Sequence, residues 1–295
     1  MRPILAMAAA AILWSTGGLL IKVISLDAVS LAAWRSAIAT VTLFVLARFR
    51  GHRLGVQSRA SSWVAAIAYA NVLLFFVWAT KLTTAANAIF LQYTAPLYLL
   101  LLEPALLKTR LQARDFGYVC VALAGLFLFF TGRMDTGDRI GNLVALASGV
   151  FFAVFALAIR VRHDDAEARW NAVAYGNAVL CIGIAAFEIA TRATIAWPTK
   201  VSEVAGIVYL GVVQIGFAYA LFAYAISKLS ALESTLVGMI EPILNPLWVF
   251  LGTGERPTPW AILGATFIVG SIVTRTAMAR RGSGREAGYD APAPS

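Results

Sequence analysis

The chain has 295 residues, 60 % of them hydrophobic and only 13 % charged, with a net charge of +9 and a mean hydropathy of +0.78. A soluble domain carries about a quarter charged residues, so this balance excludes an ordinary water-soluble fold. The apolar residues arrive in runs of about 18–23, enough to cross about 30 Å of hydrocarbon as helix, and they lack the alternation of a barrel strand.

Ten spanning helices are expected, at residues 4–24, 30–48, 61–80, 83–107, 114–132, 140–160, 170–191, 202–227, 231–253 and 258–278. Arg2 ahead of the first apolar run resembles a signal peptide. No cleavage site follows, and the run is matched by span six, so it is expected to stay. Residues 280–295 are small, polar and proline-bearing, and a disordered cytoplasmic tail is expected there. Span one carries Trp14. Span two carries Arg35 about five residues in, where snorkelling to the interface is expected, with an anion or a gate carboxylate such as Glu188 as the alternative. In span three, Asn71, Phe75 and Trp78 are spaced 4 and 3 and share a face.

Span four holds Asn87, Thr94 and Tyr98 on one face, Gln92 on another, and Pro96. Spans five and ten carry small residues at heptad spacing, Gly117 with Ala124 and Gly264 with Ser271, which lets helices approach closely and marks them as peripheral. Phe152 in span six matches Trp14 in span one. Span eight carries Gln214, Phe217, Leu221, Tyr224 and Lys228 on one face. Span nine carries the stripe Ser234, Gly238, Glu241, Asn245 and Trp248, interrupted by Pro242 and Pro246. A carboxylate at mid-membrane costs about 2.5–3.5 kcal/mol, so Glu241 is expected to face a cavity, where it would meet an ammonium or a proton, or to be paired as a structural group. The two prolines free backbone carbonyls, tolerated at depth only where protein or water satisfies them. Glu103 and Glu233 lie near span ends, within reach of Lys108 or Lys228. Trp63, Trp170, Trp197 and Trp260 fall at span ends or in a loop and fit an interfacial belt.

The chain contains its own pattern twice. Thr83 to Tyr98, TTAANAIFLQYTAPLY, lies over Leu229 to Leu244, LSALESTLVGMIEPIL, with Pro96 and Pro242 in register, and Ile21-Lys22-Val23 lies over Ile159-Arg160-Val161. Residues 1–135 and 136–279 are therefore expected to be two five-helix repeats. An odd number of spans inverts the second copy, a device of secondary transporters with a site at mid-depth between the halves. The halves differ where Glu241 and Asn245 stand over Ala95 and Leu99.

The basic residues divide unequally. One set of loops holds Arg2, Arg48, Arg50, Arg53, Arg59, Lys108, Arg110, Arg114, Arg160, Arg162, Arg169, Lys228, Arg275, Arg280, Arg281 and Arg285. Excess on that side places both termini in the cytoplasm, so the charge reports topology and not a nucleic-acid partner. Cys120 and Cys181 lack metal or redox spacing, and His52 and His163 sit in loops. No GxSxG, HExxH or Gly-rich phosphate loop occurs, so neither cofactor nor enzymatic chemistry is expected.

Four segments carry a specific resemblance: ILWSTGGLLIK from Ile12, LAAWRSAIA around Arg35, the Pro96 region, and GMIEPILNPLWVFLGTGERPTP. With them the chain resembles the drug/metabolite transporter superfamily, in its ten-helix branch of two EamA-type repeats, over about residues 4–278. The loop position matching Glu255 is Thr109 in the first repeat, a departure from the pattern. The resemblance implies export of small metabolites from the bacterial cytoplasm across the inner membrane, by alternating access around a central cavity. Within the family the chain is most similar to exporters of aromatic and other neutral amino acids. The expected cavity is lined by Trp14, Asn71, Phe75, Trp78, Phe152, Gln214, Tyr224, Glu241 and Asn245, with Pro96, Pro242 and Pro246 as kinks. A multidrug or sugar-derivative carrier and a channel-like facilitator are the alternatives. The partners are a small solute and the bilayer, and the oligomeric state stays open.

Overall fold

Apolar runs without alternation satisfy their backbone only as helix inside a bilayer. The computed structural model is helical accordingly, with no strand among its described residues, which are 2–52, 55, 60–83, 85–108, 113–131, 139–162, 164–192, 194–244, 248 and 259–289. The helices are α1 (Pro3–Ser15), α2 (Gly17–Val23), α3 (Ala28–Phe49), α4 (Ala60–Leu82), α5 (Ala85–Gln92), α6 (Ala95–Leu107) and α7 (Ala113–Phe130). They continue as α8 (Arg139–Val161), α9 (Ala166–Thr191), α10 (Val201–Tyr209), a π-helical segment (Leu210–Phe217), α11 (Ala218–Ile226), α12 (Ala231–Gly238) and α13 (Pro259–Tyr289). Among the described residues, seven stretches are long and apolar enough to cross a membrane, so the chain is a multi-pass membrane protein. α4 packs on α8 and α9, α3 on α9 and the π segment, α1 on α11 and α12, α5 and α6 on α8, and α7 on α13.

Span four is broken where its proline demands it. α5 ends at Gln92 and α6 begins at Ala95, so the break falls one turn before Pro96. α12 ends at Gly238, likewise four residues before Pro242, and helix resumes over residues 240–244. A proline cannot donate to the carbonyl four residues back, which leaves the Gln92 and Gly238 carbonyls without their usual donors. The Tyr93 hydroxyl donates to the Gly238 carbonyl at 2.7 Å. The Gln92 carbonyl is approached by α8 at Gly149, where a Cβ would sit 2.9 Å away. Asn245, Pro246, Thr109 and the Gly-Glu-Arg loop lie outside the described residues.

Side chains tie the helix ends together. At one end Lys22 Nζ donates to the Thr83 carbonyl at 2.7 Å and Lys81 Nζ to the Ile24 carbonyl at 2.6 Å. There Asn142 Oδ1 accepts from Thr83 and Asn87. At the other end Arg160 donates to the Ile226 and Ser227 carbonyls, both at 3.4 Å. Glu103 departs from the expected lysine pairing. It is buried and caps α12 from a neighbouring helix, accepting from the Ala231 and Leu232 amides at 3.2 and 3.0 Å. The orphan amides of a helix N-terminus and its positive dipole end explain the preference. Glu233 also differs: Arg275 lies 3.9 Å from it and 3.3 Å from Asp115. Glu103→Ala should strip two buried amides of their acceptor and cost about 2 kcal/mol, with Glu103→Gln costing less. Melting of the purified protein checks this, and equal melting of E103A and wild type would remove the cap from the account.

Asp27 caps α3, accepting from Val29 N and Ser30 N, both at 2.9 Å, and from Ser30 Oγ at 2.5 Å. Partial burial pushes its carboxyl up, but these hydrogen bonds outweigh it and hold the group below its ordinary range. Because the folded value is the lower one, its contribution is present above the unfolded pKa and lost as pH falls through the folded value. The melting advantage of wild type over Asp27→Asn should therefore shrink between about pH 5 and about pH 3. A constant difference across that window would contradict it.

α7 and α13 pair closely, through the expected Gly264 and Ser271 on α13 but through Gly125 rather than Gly117 on α7. A Cβ on Gly264 would meet the Gly125 carbonyl at 2.4 Å, whereas one on Gly117 would meet nothing within 4 Å. Ser271 Oγ donates to the Tyr118 carbonyl at 2.7 Å. α13 continues to Tyr289, past the expected end at 278 and through most of the segment expected to be a disordered tail.

Candidate functional site

A cavity of about 30 Å³ lies near the middle of α4 and α8, bordered by Val72, Leu73 and Phe76 of the first and Phe152 of the second. That is on the scale of a water molecule or two, so in this conformation the space is too small for a larger guest. Trp14 of α1 stands over it, 4.8 Å from the Tyr219 ring and 6.2 Å, edge-on, from Phe152. Phe222 and Phe155 extend the aromatic cluster behind them. The polar lining consists of Arg35, Gln92, Tyr93, Gln214 and Glu241.

Local structure explains each polar placement. Gln214 belongs to the π segment, whose wider turn presses Gly211 and Gly216 against α3 and turns Gln214 toward α2. There the absence of a side chain at Gly17 makes room, since a Cβ would fall 2.6 Å from Gln214 Nε2. π turns of this kind recur at functional sites. Gln92 and Tyr93 sit at the break before Pro96. Gln92 donates to Ser148 Oγ at 2.8 Å, so this side chain borders the cavity although its face was expected to point elsewhere. The break re-aims it.

Glu241 is 6 % exposed and meets the Tyr93 hydroxyl at 2.6 Å. The same hydroxyl reaches Gly238 O, and its single proton cannot serve both acceptors. Both are satisfied when the Glu241 carboxyl brings its own proton, donating to Tyr93 while Tyr93 donates to Gly238. A carboxyl protonated in this way leaves no bare charge in the apolar interior.

Arg35 overturns the snorkelling expectation. It is 1 % exposed, borders the cavity, and donates through Nη2 to the Leu73 carbonyl at 2.9 Å. α3 begins at Ala28, which sets Arg35 about 10 Å along the helix axis, and the side chain turns inward onto α4 instead of outward.

The nine residues expected around one cavity divide. Trp14, Phe152, Gln214 and Glu241 meet at the central one. Asn71 and Trp78 line a separate apolar cavity of about 400 Å³ between α4 and α9, with Leu180, Ile184 and Phe187 opposite. Phe75 packs edge-on against Phe151 at 5.4 Å. Tyr224 is 40 % exposed on α11. Asn245 lies outside the described residues. Arg35, Gln92, Tyr93 and Tyr219, with the apolar Val72, Leu73 and Phe76, border the cavity without having been among the expected nine.

Comparison with known proteins gives consistent matches. The model of the EamA-like transporter family matches residues 1–131 and 139–275. Two curated relatives from Helicobacter pylori, strains J99 and 26695, each described as an uncharacterized transporter, are 25 % and 24 % identical over 153 residues. The match covers 50 % of this chain, which spans about half the length (51 %) of these relatives. A solved crystal structure is similar over 95 % of this chain and 99 % of its own, at 22 % identity with a TM-score of 0.79, which shows the fold.

Proposed function

The chain belongs to the EamA-like transporter family, and on that premise we propose that it exports aromatic and other neutral amino acids by alternating access across the bacterial inner membrane. The observation that carries this reading is the small central cavity, walled by aromatic rings and bordered by buried ionisable groups. Rings suit an apolar side chain, and the convergent polar groups suit the charged ends of an amino acid. Both termini lie in the cytoplasm on the positive-inside count.

Two inverted five-helix repeats, ten spans in all, supply the moving parts. The helix contacts support this in pairs that exchange when the halves are exchanged. α4 meets α8 as α1 meets α11, α5 meets α8 as α12 meets α1, and α7 pairs with its own counterpart α13. Lys22 and Arg160, equivalent in the repeat, each bind carbonyls at a helix end within their own half. The breaks before Pro96 and Pro242 allow each half to tilt about its own kink. One face is closed by the Lys22, Thr83 and Asn142 contacts, the other by Glu103 on α12.

Uptake by purified protein in liposomes, against a panel of amino acids with and without a pH gradient, tests the proposal. Saturable, counter-transport-competent flux of phenylalanine or a similar solute is expected. Non-saturating flux would instead indicate a channel-like facilitator, and flux restricted to sugar derivatives or organic cations would replace the substrate assignment.

A further inference from the structure

Three side chains that border the central cavity each carry a buried polar atom with no hydrogen-bond partner in the protein: Arg35 Nε, Trp14 Nε1 and Gln214 Oε1. Two are donors and one is an acceptor, and all three side chains border the same space. The guanidinium has no carboxylate within ion-pairing distance among the described residues, and its one hydrogen-bond acceptor, the Leu73 carbonyl, is neutral. Tyr69 and Tyr219 stand within electrostatic reach of it, and Tyr219 stands within reach of Glu241 as well. Buried charges are ordinarily paired, and arginine presents a fixed planar fork that matches a carboxylate. An arginine held fully inside a membrane protein with one edge vacant is a site for an anionic group that arrives from outside the chain.

We propose that Arg35 is the carboxylate-binding residue of the transported solute, with the Trp14 indole N–H as second donor. The solute's carboxylate replaces the missing counter-ion, and an amine or hydroxyl on the same molecule donates to Gln214 Oε1. The cavity must widen to admit more than a water-sized guest, so this bound state belongs to a more open conformation than the present one. The amino-acid part of this assignment rests on the proposed function, whereas the anion site itself does not.

The full-length protein in liposomes is offered L-phenylalanine, phenylalanine amide, phenethylamine and phenylacetate. In wild type, the two solutes that carry a carboxylate should be preferred over the amide and the amine by about a hundredfold, the scale of one hydrogen bond to a charged group. Arg35→Gln should collapse that preference to near unity, while Arg35→Lys should retain part of it. Should Arg35→Gln fail to give monodisperse protein, solute-dependent rises in the wild-type melting temperature provide the second readout, with phenylacetate stabilising and phenethylamine not. A folded R35Q that keeps the wild-type preference overturns the proposal and leaves the three atoms to bound water, as does wild-type stabilisation by the amine alone. If wild type moves phenylacetate in an Arg35-dependent manner but no amino acid, the anion site stands and the amino-acid reading falls.

Discussion

Gly211→Leu is expected to leave little folded protein and no measurable transport. A Cβ at this position would lie 2.7 Å from Ile38 Cβ and 2.8 Å from the Arg35 carbonyl. The second contact is with backbone, which no rotamer change relieves, so α3 would have to slide away from the π segment. Overpacking typically costs about 1–3 kcal/mol, and a forced helix displacement belongs at or above the top of that range. The displaced turn is the one that carries Arg35 into the cavity, and the segment pushing on it carries Gln214. One substitution therefore damages packing and site together, while alanine at the same position should fall between glycine and leucine. Gly270 provides the control, since a Cβ there meets nothing within 4 Å and Gly270→Ala should behave as wild type. Recovery of monodisperse protein, its melting temperature and its uptake rate are the readouts. A G211L protein that melts and transports normally would show that the close approach of α3 and the π segment is unimportant.

Much of the architecture was legible because hydrocarbon allows few solutions. Run lengths located the seven stretches now seen as long apolar helices, and the two prolines located both breaks. The stripe on span nine led to Glu241, and the matched positions Trp14 and Phe152 do meet, edge-on, at the cavity. What the sequence concealed has specific physical causes. The face argument for Asn71, Phe75 and Trp78 fixed which residues share a side of α4 but not which neighbour that side meets, and α9 leaves an apolar gap there. Tyr224 was placed by continuing one helical period through span eight. The π segment inserts an extra residue per turn, so the face that holds Gln214 inside leaves Tyr224 outside, and no composition signals such a turn. Tyr93 and Gln92 were hidden because helical periodicity does not survive the break before Pro96. Arg35 was misjudged because its distance from the helix end was counted without knowing that the Leu73 carbonyl waits beside it on α4.

Glu241→Gln should separate folding from function at the cavity. The glutamine amide can donate to Tyr93 Oη, leaving Tyr93 free to donate to the Gly238 carbonyl, so the pattern now inferred for the protonated acid is preserved. Melting should change by no more than about 1 kcal/mol in stability. Transport should not be spared, because glutamine neither releases a proton nor presents a negative charge to an ammonium group. Hydrogen bonds to charged groups contribute about 1.5–3 kcal/mol, so a fall of about tenfold to a hundredfold in uptake is expected. The residual flux should lose its dependence on a pH gradient. Tyr93→Phe gives the opposite balance: Glu241 keeps its ability to ionise, but the Gly238 carbonyl and the carboxyl both lose their partner. That variant should lose about 1–3 kcal/mol of stability and still respond to pH. If E241Q carried solute at the wild-type rate with an unchanged pH profile, Glu241 would be a structural group that happens to border the cavity. If E241Q and Y93F behaved alike in both melting and transport, the pair would act as a single brace at the kink before Pro242.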